Sequence, residues 1–139
     1  MIGRHKRSFA VLVGAAAAVL VARCTSPATP TASERCGIDE LHIRRTAEGH
    51  LLDLRYRVVD SERATSLLAK KTTAYVVDDK SGRRLSVPTT PKAGSLRTTG
   101  VPRAGRSYFA LFTNPGGLVR RGDQVSVVLG DLTTRLTVE

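Results

Sequence analysis

Between Ile38 and Glu139 only one stretch, residues 60–71, carries apolar residues at helical spacing. The rest is short runs of strand formers separated by glycine and proline turns. A chain patterned this way buries its apolar residues by pairing strands, so it is expected to fold as an all-β domain. Residues 38–46 (IDELHIRRT) and 50–59 (HLLDLRYRVV) flank Ala47-Glu48-Gly49 and read as a hairpin. With Glu48 and Gly49 as the loop, Leu41 faces Tyr56 and Ile43 faces Leu54 on one surface. On the other, Glu40 faces Arg57 and Arg44 faces Asp53. Opposite charges on both outward pairs favour this register over a slip by one residue.

Residues 60–71 (DSERATSLLAKK) form the helix-like stretch, with Asp60 or Ser61 as the cap and Ala64, Leu67 and Leu68 on one face. Strand formers return at 72–78, and Asp79-Lys80-Ser81-Gly82 turns the chain into a short strand at 84–87. Residues 87–105 (VPTTPKAGSLRTTGVPRAG) are a long Pro/Gly-rich loop, of a length that usually marks function or disorder. Residues 106–113 (RSYFALFT) are apolar on both alternations and read as a central strand. The last hairpin, 124–129 and 132–138, closes on Gly130-Asp131, placing Val125, Val127 and Leu129 on one face with Leu132 and Leu136. The sum is an antiparallel β-sandwich, immunoglobulin-like, with one short helical connection. A small β-barrel is the alternative.

The N-terminal region is of another kind. Arg4, Lys6 and Arg7 precede an uncharged run of 14 residues, Phe9 to Ala22 (FAVLVGAAAAVLVA). A bilayer-spanning helix needs about 20 apolar residues, so a basic start followed by a shorter run reads as a secretory signal. Cleavage after Ala28, with Ser26 and Ala28 as the small residues, gives a leader of residues 1–28, a flexible linker of 29–36 and a β domain of 37–139. The alternative end point is Cys24, placed where a lipoprotein is lipidated and followed by the tether-like TSPATPTAS; Arg23 departs from the small residue expected before such a cysteine. Localisation is therefore exported, periplasmic or secreted, with a lipid anchor at Cys24 as the only expected membrane attachment. In either case Cys36 is left without an intramolecular partner.

No catalytic set is legible. His42 and His50 have no third ligand near them, and a metal site needs three or four converging groups. Asp39 and Glu40 are adjacent on a strand and so point to opposite faces, while Asp78-Asp79 opens a turn. No metal, cofactor or catalytic residue is assigned. An envelope hydrolase using Asp123 or Asp131 is the enzymatic alternative.

Charge is the feature that stands out. The chain has 22 basic and 12 acidic residues; loss of the leader would leave 18 basic residues, a net charge of about +6. From Lys80 to Arg121 there are nine basic residues and no acid: Lys80, Arg83, Arg84, Lys92, Arg97, Arg103, Arg106, Arg120 and Arg121. Arg83, Arg84, Lys92, Arg97, Arg103 and Arg106 are the anion-binding candidates, since arginine suits bidentate contacts to phosphate, sulfate or carboxylate. The expected partner is an envelope protein or an anionic surface. Nucleic acid is disfavoured, because few aromatics interleave with the basic stretch.

Three stretches, YRVVDSERATSLL (Tyr56 to Leu68), VPTTPKAGSLRTT (Val87 to Thr99) and FTNPGGLVRRGDQVSVVLGD (Phe112 to Asp131), resemble a group of small bacterial exported, lipoprotein-like proteins with no assigned activity. The resemblance implies no catalytic residue and strengthens Cys24 as a lipidation candidate. The resulting expectation is a non-enzymatic binding or accessory module of the bacterial envelope. A structural subunit of an envelope assembly is the alternative beside the hydrolase.

Overall fold

The computed structural model describes residues 28–139. Cys24 and the expected leader, apart from Ala28, lie outside the described residues. The domain is all-β. β1 (Ile38–Thr46), β2 (Leu51–Val58), β3 (Ala74–Asp78), β4 (Arg84–Ser86), β5 (Thr89–Thr90), β6 (Gly94–Ser95), β7 (Ser107–Thr113), β8 (Gln124–Leu129) and β9 (Leu132–Thr137) form three antiparallel sheets. Their orders are β1-β2-β7, β4-β3-β8-β9 and β5-β6. Two single-turn helices accompany them, α1 (Ala32–Arg35) and α2 (Thr65–Leu68).

The first hairpin has the register that its charges require: Ile43 lies opposite Leu54, His42 opposite Arg55 and Arg44 opposite Asp53. Two details differ from expectation. The turn is longer, because Thr46 and Leu51 are the last pair and Ala47, Glu48 and Gly49 all take positive φ. A bulge between Asp39 and His42, with Glu40 at φ 49°, puts Asp39 rather than Glu40 opposite Arg57. The extra residue lets Arg57 use both acids. It makes two bonds to Asp39, of 3.0 and 2.8 Å, and an ion pair to Glu40 at 3.5 Å.

Strand alternation then sorts the core. Leu52, Leu54, Tyr56 and Val58 of β2, Ala110 and Phe112 of β7, Val76 of β3, and Val125, Val127 and Leu129 of β8 point inward into one shared apolar cluster. The last hairpin pairs Val125 with Leu136 and Leu129 with Leu132 around the two-residue turn Gly130-Asp131, as the sequence requires. The edges of the two larger sheets also meet. Ile43 bridges Val138 in parallel, and the Thr113 hydroxyl donates to the Ser86 carbonyl. The fully buried Asn114 ties the segment after β7 to the first hairpin. Its amide nitrogen donates to the carbonyls of Gly49 and Val119, and its side-chain oxygen accepts from the Val119 N–H.

The helix expected over 60–71 contracts to α2. Asp60 caps the preceding turn, accepting from the N–H groups of Glu62 and Arg63, and Ala64, Leu67 and Leu68 are fully buried. The chain becomes extended at Ala69 (ψ 140°), and the carbonyls there turn to another partner, Arg97. Residues 29–36, expected as linker, include α1, whose Thr31 and Glu34 form a reciprocal capping box. The 87–105 stretch is also more ordered than a loop. It carries the β5–β6 hairpin, and Leu96 and Thr98 then pair with β7 through Leu111 N–H to Leu96 O and Thr98 N–H to Phe109 O, both 2.9 Å. β7 is thus paired on both sides, as its apolar pattern demands.

Candidate anion-binding surface

The six candidates do not converge. Arg97 sits opposite Ala110 at the edge of β7, so alternation turns its side chain inward, where it is 8% exposed. Its guanidinium donates to the carbonyls of Leu67 (3.2 Å), Ala69 (2.7 Å), Lys70 (3.1 Å) and Thr72 (3.3 Å). With its donors directed at main-chain oxygens, Arg97 joins the basic segment to the α2 region and is withdrawn from any external anion. This corrects its assignment as a surface contact.

Arg83 and Arg84 lie at the β3–β4 hairpin. The Arg84 guanidinium covers the Tyr75 ring, 3.9 Å from its centroid, which leaves the charge at the surface. Asp78 shapes this turn from a buried position by accepting from Ser81 N–H, Ser81 hydroxyl and Lys80 N–H. Lys80 spends its charge on Asp123, which also accepts from Arg120 N–H at 2.9 Å. The hydrogen bond from Lys80, then the Arg120 amide, hold the Asp123 carboxyl below the usual aspartate range. Arg120 and Arg121 are exposed beside the same turn.

Arg103 and Arg106 are at the other end of the strands. Arg103 N–H donates to the Tyr108 hydroxyl at 2.9 Å, and Gly105 N–H and Arg106 O bond to Val58 at 2.7 and 2.9 Å. Both side chains are exposed, and Lys92 is exposed in the β5–β6 turn. Lys70 and Lys71, exposed just after α2, share the Arg103 end, since Leu68 O accepts from Gly100 N–H at 2.8 Å. Lys70 and Lys71 lie outside the acid-free interval from Lys80 to Arg121, so the charge distribution alone does not mark them. Their position after the buried Leu67-Leu68 pair was the available signal.

Among the described residues, none of Arg83, Arg84, Lys92, Arg103, Arg106, Lys70 and Lys71 has a carboxylate within ion-pair distance. The arginines on the outer face of β1 and β2 differ. Arg44 and Arg55 meet the buried Asp53 at 3.4 and 3.0 Å, and Arg57 holds Asp39, whose carboxyl its hydrogen bonds push down.

No group of His, Cys, Asp and Glu among the described residues is placed to hold a metal ion. His42 is bonded to the Glu40 carbonyl through Nδ1 at 2.9 Å. Cys36 is buried, and burial raises its thiol pKa, which keeps it protonated. Asp123 and Asp131 lie at opposite ends of β8, so they do not act on one substrate atom. No family model, curated protein or solved structure matches the chain.

Proposed function

We propose that the chain is an exported bacterial envelope protein whose β domain is a non-enzymatic binding module for an anionic surface. The observation that carries this reading is the set of exposed cations left without carboxylate partners, Arg83, Arg84, Lys92, Arg103 and Arg106 among them. By contrast Arg44, Arg55, Arg57, Arg63 and Arg135 are paired with acids and Arg97 is turned onto main-chain carbonyls, so the unpaired set is the charge available to a partner. The finer architecture in this reading is an immunoglobulin-like sandwich, supported by the inward faces of the two larger sheets sharing one core. Small-barrel closure is the competing description, and the Ile43–Val138 bridge between sheet edges favours it. Export rests on the basic start and the apolar run Phe9–Ala22, with Cys24 as the lipid-bearing residue or cleavage after Ala28 as the alternative.

Retention of the protein on a sulfated matrix at low salt tests the binding reading. R103S/R106S and R83S/R84S are each expected to elute at lower salt than the parent, without loss of fold, because all four side chains are exposed. Elution of both double variants with the parent would remove the basic surface from consideration.

A further inference from the structure

The end of the domain that carries Arg103 and Arg106 combines three features that do not occur together elsewhere among the described residues. Val101 is 85% exposed and Val59 is 49% exposed, two of the three large apolar residues left in solvent. Val101 lies in the loop of residues 99–106, Val59 follows Val58, which bonds Gly105 and Arg106 of that loop, and Lys70 and Lys71 come just after Leu68, whose carbonyl accepts from Gly100 N–H. A shallow cleft of about 230 Å³, lined by Ser61, Glu62, Thr65, Val101 and Pro102, opens on the same side. The chain also enters the domain here: the Gly37 carbonyl accepts from Val59 N–H at 2.9 Å and from Asp60 N–H at 3.0 Å. The uncharged run Phe9–Ala22 and Cys24 precede this entry point in sequence.

An apolar tip ringed by unpaired cations matches the boundary between lipid headgroups and acyl chains, where a valine leaves water while arginine and lysine stay with phosphate. We propose that this end of the domain lies against an anionic bilayer, with Val101 at the acyl boundary and Arg103, Arg106, Lys70 and Lys71 on lipid phosphates. The proposal rests on the anionic-surface reading and names that surface. Asp60 is engaged by Arg63 at 3.2 Å, Glu62 lines the cleft, and Asp131 follows Gly130, whose N–H donates to the Thr73 carbonyl at 2.9 Å. Attachment of the N-terminal region to a membrane would present this same end, because tether and tip leave the fold together.

The chain has no tryptophan, so Val101→Trp creates a single reporter, and Thr137→Trp, exposed on β9 opposite Gln124 at the other end of the strand, serves as its control. The full chain is mixed with phosphatidylcholine vesicles with and without phosphatidylglycerol, and with brominated lipid. The expected result is blue-shifted, bromine-quenched emission from V101W on phosphatidylglycerol vesicles, none from T137W, and several-fold weaker quenching when R103S/R106S is added. V101W protein that sediments with those vesicles yet stays unquenched overturns the proposed orientation and leaves anionic-surface binding standing. Equal quenching without phosphatidylglycerol overturns the role of the cations. Failure to sediment, together with failure to bind the sulfated matrix, overturns the parent reading as well.

Discussion

Arg97 donates to the Ala69 carbonyl at 2.7 Å and to three further carbonyls of the segment 67–72, so one buried guanidinium joins the strand beside β7 to the turn after α2. The residue lies within the acid-free basic stretch, yet its function is internal. Removing it takes the donor from one buried and three part-buried carbonyls. Arg97→Leu is therefore expected to destabilise the domain by about 3 kcal/mol in urea unfolding, and Arg97→Lys by less. A change below about 0.5 kcal/mol, the range of ordinary surface substitutions, would contradict the bridging role.

Gly37 and Gly82 separate two costs of a glycine. Both take positive φ, 68° and 71°. A Cβ on Gly37 would come within 2.7 Å of the Asp60 carbonyl and 2.9 Å of Arg63 Cβ, whereas one on Gly82 meets nothing within 4 Å. Gly82→Ala is expected to cost about 1 kcal/mol, for the left-handed backbone alone. Gly37→Ala should cost clearly more and shift the 59–63 turn. Equal losses in thermal unfolding would show that the close approach at Gly37 is relaxed at no cost.

Tyr56 is 2% exposed, and burial pushes its phenol up to about 12 from 10.0. The folded pKa lies above the unfolded one. The stability this group contributes is thus complete below pH 10 and is lost as pH rises through 12. Absorbance titration should show a late-ionising tyrosine component in the folded protein that disappears on unfolding. The absence of any late-ionising component in the folded protein would place Tyr56 in solvent.

Asp123 behaves in the opposite sense. Lys80 and the Arg120 amide lower its pKa, so its contribution is present above the ordinary value of 3.8 and is lost as pH falls through the folded pKa. In Lys80→Met, the largest of the causes is gone, and the fall in stability below about pH 4 should become shallower than in the parent. Superimposable acid-unfolding curves for the two proteins would remove this pair from the acid limb.

Where neighbouring residues constrained one another, the fold was legible in advance. The cross-strand charges Arg44 and Asp53 set the first hairpin, and Gly130-Asp131 set the last. The bulge at Glu40 was not legible, because Asp39 and Glu40 are both acids and a one-residue insertion leaves the charge complementarity to Arg57 intact. For the candidate surface, composition located the cations but not their partners. Arg97 and Arg103 are alike as residues in an acid-free stretch, and they differ only in what the fold places opposite them. For Arg97 that is a set of carbonyls some 25 to 30 positions away in the chain. Lys70 and Lys71 escaped notice for the converse reason, lying outside the stretch and reaching the same end through the Gly100–Leu68 hydrogen bond.

The proposed contact is the Arg103 end, whose exposed, unpaired cations would bind an anionic surface. Its most direct measurement is co-sedimentation of the full chain with phosphatidylglycerol-containing vesicles across a salt series, comparing parent, R103S/R106S and R83S/R84S. Binding is expected to fall with salt, to weaken several-fold at low salt in R103S/R106S, and to change little in R83S/R84S, at the far end of the strands. Binding that is indifferent to salt and to R103S/R106S would contradict it.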